Sequence, residues 1–437
     1  MKLIADFHIH SKYSRATSKE INISNLSQWA KWKGINLLGT GDFTHPLWFQ
    51  ELKNNLQPLG NGLYVNKNFP EIKFILTTEL SSIYTQGGKG RRIHNVIFAP
   101  SFATVEKINT KLTGIGNLYS DGRPILGISA RDLTKLILDI DQNCLIIPAH
   151  AWTPWFSVFG SASGFNSLEE CFLDMTPNIF AIETGLSSDP EMNWRLSKLD
   201  SIALISCSDA HSLPNLGREA TVFDIADNAD LSYTLIAQML KSAKSGNYKS
   251  APSVLSYTIE FFPEEGKYHF DGHRVCNINL HPQESNKLNK ICPVCQKTLT
   301  IGVMNRVEEL ANRPLDYQPE NFPGSKHLVP LQEIIAASYG VPKISRKVQE
   351  EYWRIVDQIG NEFDLLLYKP IDELSKSLSP KIVEGIQNVR EGRVLAIPGY
   401  DGVYGIINVF ASGPEASGRR GGEKDGKSKP EKQATLF

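Results

Sequence analysis

The sequence has only six cysteines in 437 residues, too few and too scattered for a disulfide framework. No run approaches the roughly 18 consecutive apolar residues of a membrane span. The N-terminus, MKLIADFHIH, turns polar too early for a secretory signal. The formal net charge is only −1, so no overall basic field points to a polyanionic partner, although local patches can still bind one. These absences predict a cytoplasmic protein without a membrane anchor.

Short apolar runs alternate with longer amphipathic stretches over the first 224 residues. Each run has the length and the β-formers of a strand, which predicts an α/β fold with a parallel sheet or barrel. At least seven such units favour the barrel. The runs are LIADF (3–7), INLLGTGD (35–42), IKFILTTEL (72–80), HNVIFAP (94–100), CLIIPAH (144–150), IFAIETG (179–185) and ALISCSDAH (203–211).

Nearly every run ends in a His, Asp or Glu, and the functional side chains of parallel α/β barrels gather at the C-terminal strand ends. A His-x-His or Asp-x-His spacing on a strand places both side chains on one face. Imidazoles mixed with carboxylates suit Zn²⁺, Mn²⁺ or Fe, and so many candidates imply two or three ions. Asp209 is the expected bridging ligand. The candidate ligands are His8, His10, Asp42, His45, Glu79, His94, His150, Glu183, Asp209 and His211.

Four arginines near the strand ends could hold a phosphate group: Arg15, Arg91, Arg92 and Arg218. The alternative for each is a solvated surface charge. The predicted catalytic set combines Asp209 and His211 with Arg15 and Arg218.

The segments HIHSKYS, GTGDFTH, TTEL, PAH, IET and CSDAH, in this order, resemble the motifs of the polymerase-and-histidinol-phosphatase (PHP) superfamily. The resemblance implies a distorted (β/α)₇ barrel, a trinuclear metal centre and phosphoester hydrolysis. Two departures matter: only Ser14 and Arg15 follow the first His pair where many members carry another ligand, and an adjacent Asp-His pair is opened here to Asp42 and His45. Whether Asp42, His45 or both bind metal therefore stays open.

A small Cys/His unit follows the predicted barrel. Cys292 and Cys295 form a zinc-knuckle spacing, and His273 and Cys276 repeat the same two-residue gap with fifteen residues between the two pairs, which predicts a tetrahedral structural zinc site. His281 is the competing fourth ligand. A closed site of this kind folds a segment too small to hold itself together.

The predicted order is a catalytic barrel (1–228), the zinc-binding unit (256–315), a mainly helical C-terminal domain (316–411) and a disordered tail (412–437). The tail is rich in Gly, Lys and Glu and cannot bury a core. It ends in QATLF, in which Gln433, Leu436 and Phe437 resemble the anchors of sliding-clamp binding peptides.

The zinc-unit motif GKYHFDGHR…CPVC…TLTIGVMNRVEELANRP, joined to these domains, resembles the endonuclease Q family of DNA repair enzymes. The resemblance implies nicking of DNA 5′ to uracil, hypoxanthine, xanthine or abasic sites, with zinc in the small unit and zinc, Mg²⁺ or Mn²⁺ in the barrel. The aromatics of 152–165 and the 398–405 turn are candidates for DNA contact, core packing being the alternative for the aromatics. The rival functions are a phosphatase for small phosphate monoesters and a catalytically inactive DNA-binding adaptor.

Overall fold

The computed structural model describes residues 1–245, 251–320 and 322–410, so the predicted clamp-binding peptide lies outside the described residues. The strands are β1 (Lys2–Asp6), β2 (Leu37–Gly39), β3 (Gln57–Pro58), β4 (Tyr64–Asn66), β5 (Phe69–Gln86), β6 (Lys89–Ala99), β7 (Ile125–Leu126), β8 (Leu145–Pro148), β9 (Ala181–Glu183), β10 (Ala203–Ile205), β11 (Ala220–Asp224), β12 (Val254–Glu260), β13 (Asp271–His273), β14 (Ile278–Leu280), β15 (Gly324–His327), β16 (Leu395–Ile397) and β17 (Ile406–Asn408). The α-helices are α1 (Ile23–Lys33), α2 (Pro46–Asn55), α3 (Phe102–Leu112), α4 (Ala130–Ile140), α5 (Leu168–Phe172), α6 (Pro190–Trp194), α7 (Tyr233–Lys241), α8 (Pro282–Lys287), α9 (Val303–Leu310), α10 (Leu331–Tyr339), α11 (Arg346–Gln358), α12 (Ile371–Leu374) and α13 (Pro380–Arg390). All seven predicted strands are present, which confirms the α/β class.

Polar caps set the helix boundaries. The side chains of Ser101, Ser129 and Ser232 accept hydrogen bonds from the first turns of α3, α4 and α7, satisfying backbone groups that have no partner inside the helix. Helix α1 ends at Gly34, whose φ of 89° is accessible to glycine at little cost. These ends direct the apolar helix faces, such as Leu133 and Ile137 of α4, onto the sheet.

The main sheet has the order β15-β12-β11-β1-β2-β5-β4-β3, with β6 joining β5 to β8. Strands β1, β2 and β5 are parallel, as expected. Strands β5, β6 and β8 pair antiparallel, which differs from the parallel sheet that the sequence favoured. The reason is the two-residue turn at Gly87 and Gly88, both with positive φ, which suits a tight hairpin between twisted strands.

Two backbone hydrogen bonds link the ends of this sheet to the separate β9–β10 pair. The N–H of Ala151, just past β8, donates to Glu183 at the end of β9 (2.9 Å). The N–H of His10, past β1, donates to Ala210, past β10 (3.0 Å). The links bring the ends of six predicted strands to one region, together with His94, which lies at the start of the predicted run on the antiparallel β6. Closure into a continuous (β/α)₇ barrel stays a prediction, since these connections are one hydrogen bond and one isolated β-bridge, between Ile9 and Ala210.

The later part of the chain packs against this sheet. The predicted start of the zinc unit, residue 256, lies inside strand β12. This strand pairs with β11 and so belongs to the main sheet. Helices α10 to α13 supply the predicted helical region, and β16 and β17 form an antiparallel pair on either side of the 398–405 turn. The buried ion pair between Lys33 of α1 and Glu362 (2.8 Å) joins this region to the sheet layer. None of the described helices is long and apolar enough to cross a membrane.

Candidate metal centre

The strand ends hold several site residues in strained backbone conformations. Asp42, His150 and Asp209 have φ values of 46°, 29° and 47°, in the region that non-glycine residues rarely occupy. Such strain persists only where the surroundings enforce it, and it concentrates at functional sites. The strained backbone is therefore a second, independent indication that these three predicted residues belong to a functional site.

A first group of possible metal ligands consists of His8, His10, Glu79 and Asp209. The Nε2 atom of His10 lies 3.2 Å from Glu79 Oε2 and 3.0 Å from Asp209 Oδ1. The Nε2 atom of His8 lies 3.4 Å and 3.6 Å from the same two oxygens. Both Nε2 atoms and Asp209 Oδ1 are buried without a hydrogen-bond partner. Buried polar atoms normally find partners, and one cation would satisfy all three, so these residues fit a metal ion.

A second group shares Glu79 with the first and adds His94 and His150. Glu79 Oε1 lies 2.6 Å from His94 Nδ1 and 3.2 Å from His150 Nε2, while Oε2 faces the first group. The two oxygens of one carboxylate thus point at two ligand groups, the arrangement of a carboxylate that bridges two ions. Asp209, which the sequence singled out for bridging, belongs to the first group alone.

Two further carboxylates lie behind the paired histidines. Glu183 contacts Nδ1 of His8 at 2.9 Å, and Asp42 contacts Nδ1 of His10 at 3.0 Å. Asp42 also accepts hydrogen bonds from the Ser11 N–H and from the hydroxyls of Ser11 and Ser14. Carboxylates in this position fix the ring and its tautomer, leaving Nε2 free for a metal. The geometry places Glu183 and Asp42 behind the imidazoles and outside both ligand groups, although the sequence grouped both with the ligands.

The electrostatics of the centre suit a cation. Burial alone would lower the pKa of His8, but Glu183, Glu79 and Asp209 outweigh it and raise the pKa well above the ordinary value. Burial would raise the pKa of Glu79, but His94, Arg123 and His8 hold it well below the usual range. Burial lowers the pKa of His94 to about 4, against the effect of Glu79. The buried carboxylates therefore keep the negative charge that attracts a metal ion.

Besides Glu183 and Asp42, four more predicted residues lie outside both ligand groups. The His45 ring stacks on Tyr13 (4.4 Å between centroids), at the start of α2. The His211 ring lies 4.5 Å from that of His10, and its Nδ1 lies 2.9 Å from the carbonyl oxygen of Asp209. Arg218 donates to the carbonyl of Ser208 (2.8 Å), and Arg15 is a largely exposed side chain 3.4 Å from Asp121. Of these, His211 is the nearest to the ligands.

Sequence reasoning missed Arg123. Its Nη1 atom donates to Glu79 Oε2 at 3.0 Å, which places a guanidinium directly at the shared carboxylate. The neighbouring Gly122 packs so closely on Asp42 and Ser14 that a Cβ atom there would lie 2.1 Å from the Asp42 carboxylate. The only sequence signal was the polar DGRP loop, which resembles any other surface turn.

The aromatics of 152–165 divide into two classes. Trp152, Phe159 and Phe165 are buried in the core, which agrees with the alternative that these aromatics serve core packing. Arg91 and Arg92 stack on Phe165 (4.0 Å) and Phe156 (5.5 Å), so these arginines brace the loop. Trp155 remains partly exposed, and its carbonyl oxygen accepts a hydrogen bond from the Thr153 hydroxyl, which also contacts the His150 ring.

The small Cys/His unit also brings its predicted ligands together. His273, Cys276, Cys292 and Cys295 place one ligand atom each within 4.8 Å of one another. Although burial acts to raise it, backbone N–H groups of Cys295 and Val294 and the His273 ring lower the pKa of Cys292 to about 6, which favours the metal-binding thiolate. His281 instead accepts a hydrogen bond from Gln283 and caps α8. The geometry therefore favours His273 as the fourth ligand.

Residues 330–393 match the family described as the MJ0043 C-terminal domain. The uncharacterized protein YqxK of Bacillus subtilis is 28% identical over 93% of this chain and 99% of its own length. The uncharacterized protein MJ0043 of Methanocaldococcus jannaschii is 30% identical over 59% of this chain, and the match spans only 31% of that longer protein.

Two crystal structures resemble nearly the whole chain. The lesion-specific endonuclease PfuEndoQ from Pyrococcus furiosus superposes with a TM-score of 0.81 at 29% identity, covering 95% of this chain and 98% of that one. Endonuclease Q bound to a 27-mer duplex with an abasic lesion at its active site gives 0.82 at 30% identity, covering 95% and 99%. With this likeness in sequence and fold over both full lengths, the chain belongs to the endonuclease Q family.

Proposed function

We propose that the protein is a metal-dependent DNA repair endonuclease, working in the cytoplasm, that hydrolyses the phosphodiester 5′ to a deaminated base or an abasic site and leaves a 3′-hydroxyl. The observation that carries the proposal is the pair of ligand groups joined by Glu79. It is supported by the likeness to a family member whose structure holds a DNA duplex with an abasic lesion at the active site. Uracil, hypoxanthine and xanthine are the proposed deaminated bases.

Each residue of the centre has a proposed task. His8, His10, Glu79 and Asp209 would hold one ion, and Glu79, His94 and His150 a second. Zn²⁺, Mn²⁺ or Mg²⁺ in these positions would activate a water for attack on phosphorus and stabilise the leaving oxygen. Glu183 and Asp42 orient the paired imidazoles. Arg123 stabilises negative charge that builds up on the phosphoryl oxygens.

The small unit has a structural task in this proposal. One zinc ion on His273, Cys276, Cys292 and Cys295 would fold the segment and fix it against the sheet. The side chain of Arg306, on α9 within the unit, reaches the loop that follows His150: it donates to the carbonyls of Phe159 (2.9 Å) and Phe165 (3.0 Å). The zinc unit would thereby support the metal centre from outside.

A phosphatase for small phosphate monoesters uses the same barrel chemistry and is the second candidate. A phosphatase of this kind would have no use for the zinc unit and the helical region. A nuclease, in contrast, needs additional surfaces that bind a long substrate. An inactive DNA-binding adaptor is a weaker candidate, because both ligand groups are intact.

The deciding experiment incubates the purified protein and Mn²⁺ or Mg²⁺ with end-labelled duplexes carrying one deoxyuridine, one deoxyinosine or one abasic site. An undamaged duplex and histidinol phosphate serve as controls. A nick immediately 5′ to the lesion is the expected result, and Asp209→Ala should bind the same duplex without cutting it. Phosphate release from the monoester alone would support the phosphatase, and binding without cleavage by the wild type would support the adaptor.

The C-terminal peptide adds a partner to the proposal. Gln433, Leu436 and Phe437 would dock in the groove of a sliding clamp. Deletion of 433–437 should leave cleavage of short duplexes intact and remove its stimulation by the clamp. Loss of cleavage without the clamp would refute this assignment.

A further inference from the structure

Two sequence features that the cleavage chemistry leaves unused meet on one surface beside the metal centre. Trp155 comes from the loop after His150, and Tyr404 from the turn between β16 and β17. Tyr268 lies between them: its ring is 5.7 Å from that of Trp155, edge to face, and Lys267 Nζ lies 5.7 Å from the ring centroids of both Tyr268 and Tyr404. We call Trp155, Tyr268, Tyr404, Lys267 and Arg274 the aromatic strip. Trp155 is 38% exposed and Tyr404 57%.

One end of the aromatic strip is tied to a candidate metal ligand. The Thr153 hydroxyl lies 3.2 Å from Nδ1 of His150 and donates to the carbonyl oxygen of Trp155 (3.0 Å). The same hydroxyl therefore contacts both the His150 ring and the backbone of Trp155.

The other end is fixed by the zinc unit. Asp401, in the β16–β17 turn, accepts hydrogen bonds from the backbone N–H of Arg274 and the hydroxyl of Thr300, each at 2.6 Å. The N–H of Gly402 donates to the carbonyl of Lys267 (2.8 Å), with a φ of 86° that suits glycine. The exposed Arg274 side chain lies over Gly402, since a Cβ atom there would be 3.4 Å from its Nη1. The turn is thus held rigidly with Tyr404 and Arg274 on its surface.

Exposed aromatic rings interleaved with cations are typical of surfaces that bind single strands. Bases of any sequence stack on such rings, and lysine and arginine contact the phosphates between them. Core packing does not account for an aromatic that is 57% exposed, such as Tyr404. The Asp401 carboxylate in the same turn accepts its two hydrogen bonds from the backbone N–H of Arg274 and the hydroxyl of Thr300.

We propose that the aromatic strip is a stacking platform for unpaired nucleotides of the cleaved strand, next to the scissile phosphate, with Lys267 and Arg274 contacting their phosphates. The proposal rests on the proposed function and assigns a place to the nucleotides that leave the duplex around a lesion. It makes the zinc unit part of the DNA-binding surface as well as a support.

The test measures binding of a duplex with one abasic site and a 2-aminopurine as the adjacent base, in Ca²⁺ to prevent cleavage. Stacking on the strip should quench the 2-aminopurine fluorescence. Trp155→Ala and Tyr404→Ala should each weaken binding by roughly tenfold to a hundredfold and relieve the quenching. Lys267→Ala and Arg274→Ala should each make the slope of log K against log salt less steep by about one.

The control is Tyr339→Ala on α10, which removes a ring that also carries a lysine, Lys347, 4.0 Å from its centroid. Zinc content reports that each variant is folded. If Trp155→Ala and Tyr404→Ala both keep wild-type affinity and wild-type quenching, the stacking role of the aromatic strip would be overturned. The proposed function would stand as long as the wild-type protein cleaves the duplex. A wild-type protein that neither binds nor cuts the lesion duplex would overturn both.

Discussion

The Nδ1 atom of His8 lies 2.9 Å from a carboxylate oxygen of Glu183, on the ring edge opposite the Nε2 atom that faces Glu79 and Asp209. The same oxygen of Glu183 accepts a hydrogen bond from the backbone N–H of His150 (2.9 Å). One buried carboxylate therefore positions residues of both ligand groups. Its influence on the metals passes through other side chains, which distinguishes it from the ligands themselves.

Replacing Glu183 with Gln should lower the affinity of the centre for metal by about 10- to 100-fold, the usual effect of losing a carboxylate behind a ligating histidine. Competition with a chromophoric chelator measures this affinity. The same change at Glu106, an exposed glutamate on α3, serves as the control. An affinity equal to that of the wild type would mean that His8 needs no carboxylate to present Nε2.

Arg123 should contribute to the cleavage rate. Arg123→Ala should slow single-turnover nicking by about 10²- to 10³-fold, the scale expected when one preorganised charge-stabilising donor is lost. Arg123→Lys should recover only part of the rate, because an ammonium lacks the planar fork of a guanidinium. Near-wild-type nicking by Arg123→Ala would remove the residue from the proposed chemistry and leave it a structural partner of Glu79.

Loss of zinc should loosen the loop that follows His150. Cys295→Ser removes one proposed ligand, and with it the support through which Arg306 holds the carbonyls of Phe159 and Phe165. Hydrogen exchange of residues 156–166 should become faster, together with loss of zinc from the protein. Cys144→Ala, which removes a buried thiol outside the unit, is the matched control. Unchanged exchange in a zinc-free variant would show that the loop stands without the unit.

The stability of the protein should fall as pH rises towards 8 because of Glu265. Burial, and then the nearby Glu333, raise its pKa to about 8, although Lys343 and Arg218 act in the opposite direction. The folded state keeps a proton that the unfolded state loses near pH 4.5, so this contribution is complete below that pH and is lost between about 4.5 and 8.

Glu265→Gln cannot ionise and should melt higher than the wild type at pH 8.5, with about 2–4 °C gained for each kcal/mol of stability. The difference should shrink as the pH falls and vanish below the unfolded-state pKa of 4.5. Melting curves across this range, with Glu106→Gln as the control for the loss of one charge, measure the effect. Parallel curves for Glu265→Gln and the wild type would contradict it.

Much of this fold was predictable from the seven apolar runs, because strand length and β-formers are local properties. The residues at the strand ends were predictable for the same reason. The antiparallel pairing of β5 and β6 was not inferred, although the signal was present in Gly87 and Gly88 between two strand-like segments.

Other features depend on long-range geometry that no local pattern encodes. Arg123 reaches Glu79 from a loop 44 residues away in sequence. Whether a strand-end carboxylate binds a metal or orients a histidine depends on which ring nitrogen it meets. Glu79 meets Nε2 of His10, and Asp42 meets Nδ1 of the same ring. The sequence pattern, a carboxylate at a strand end, looks the same for a metal ligand and for a residue that orients a histidine.

The most direct test is the metal content of Glu79→Ala, measured by inductively coupled plasma mass spectrometry after exhaustive dialysis. If Glu79 joins two ion positions, the variant should lose the ions of the centre and keep one zinc per chain in the Cys/His unit, which also reports that it is folded. Glu71→Ala, an exposed glutamate on the same strand, should match the wild type. A Glu79→Ala protein that retains the full wild-type metal content would contradict the account.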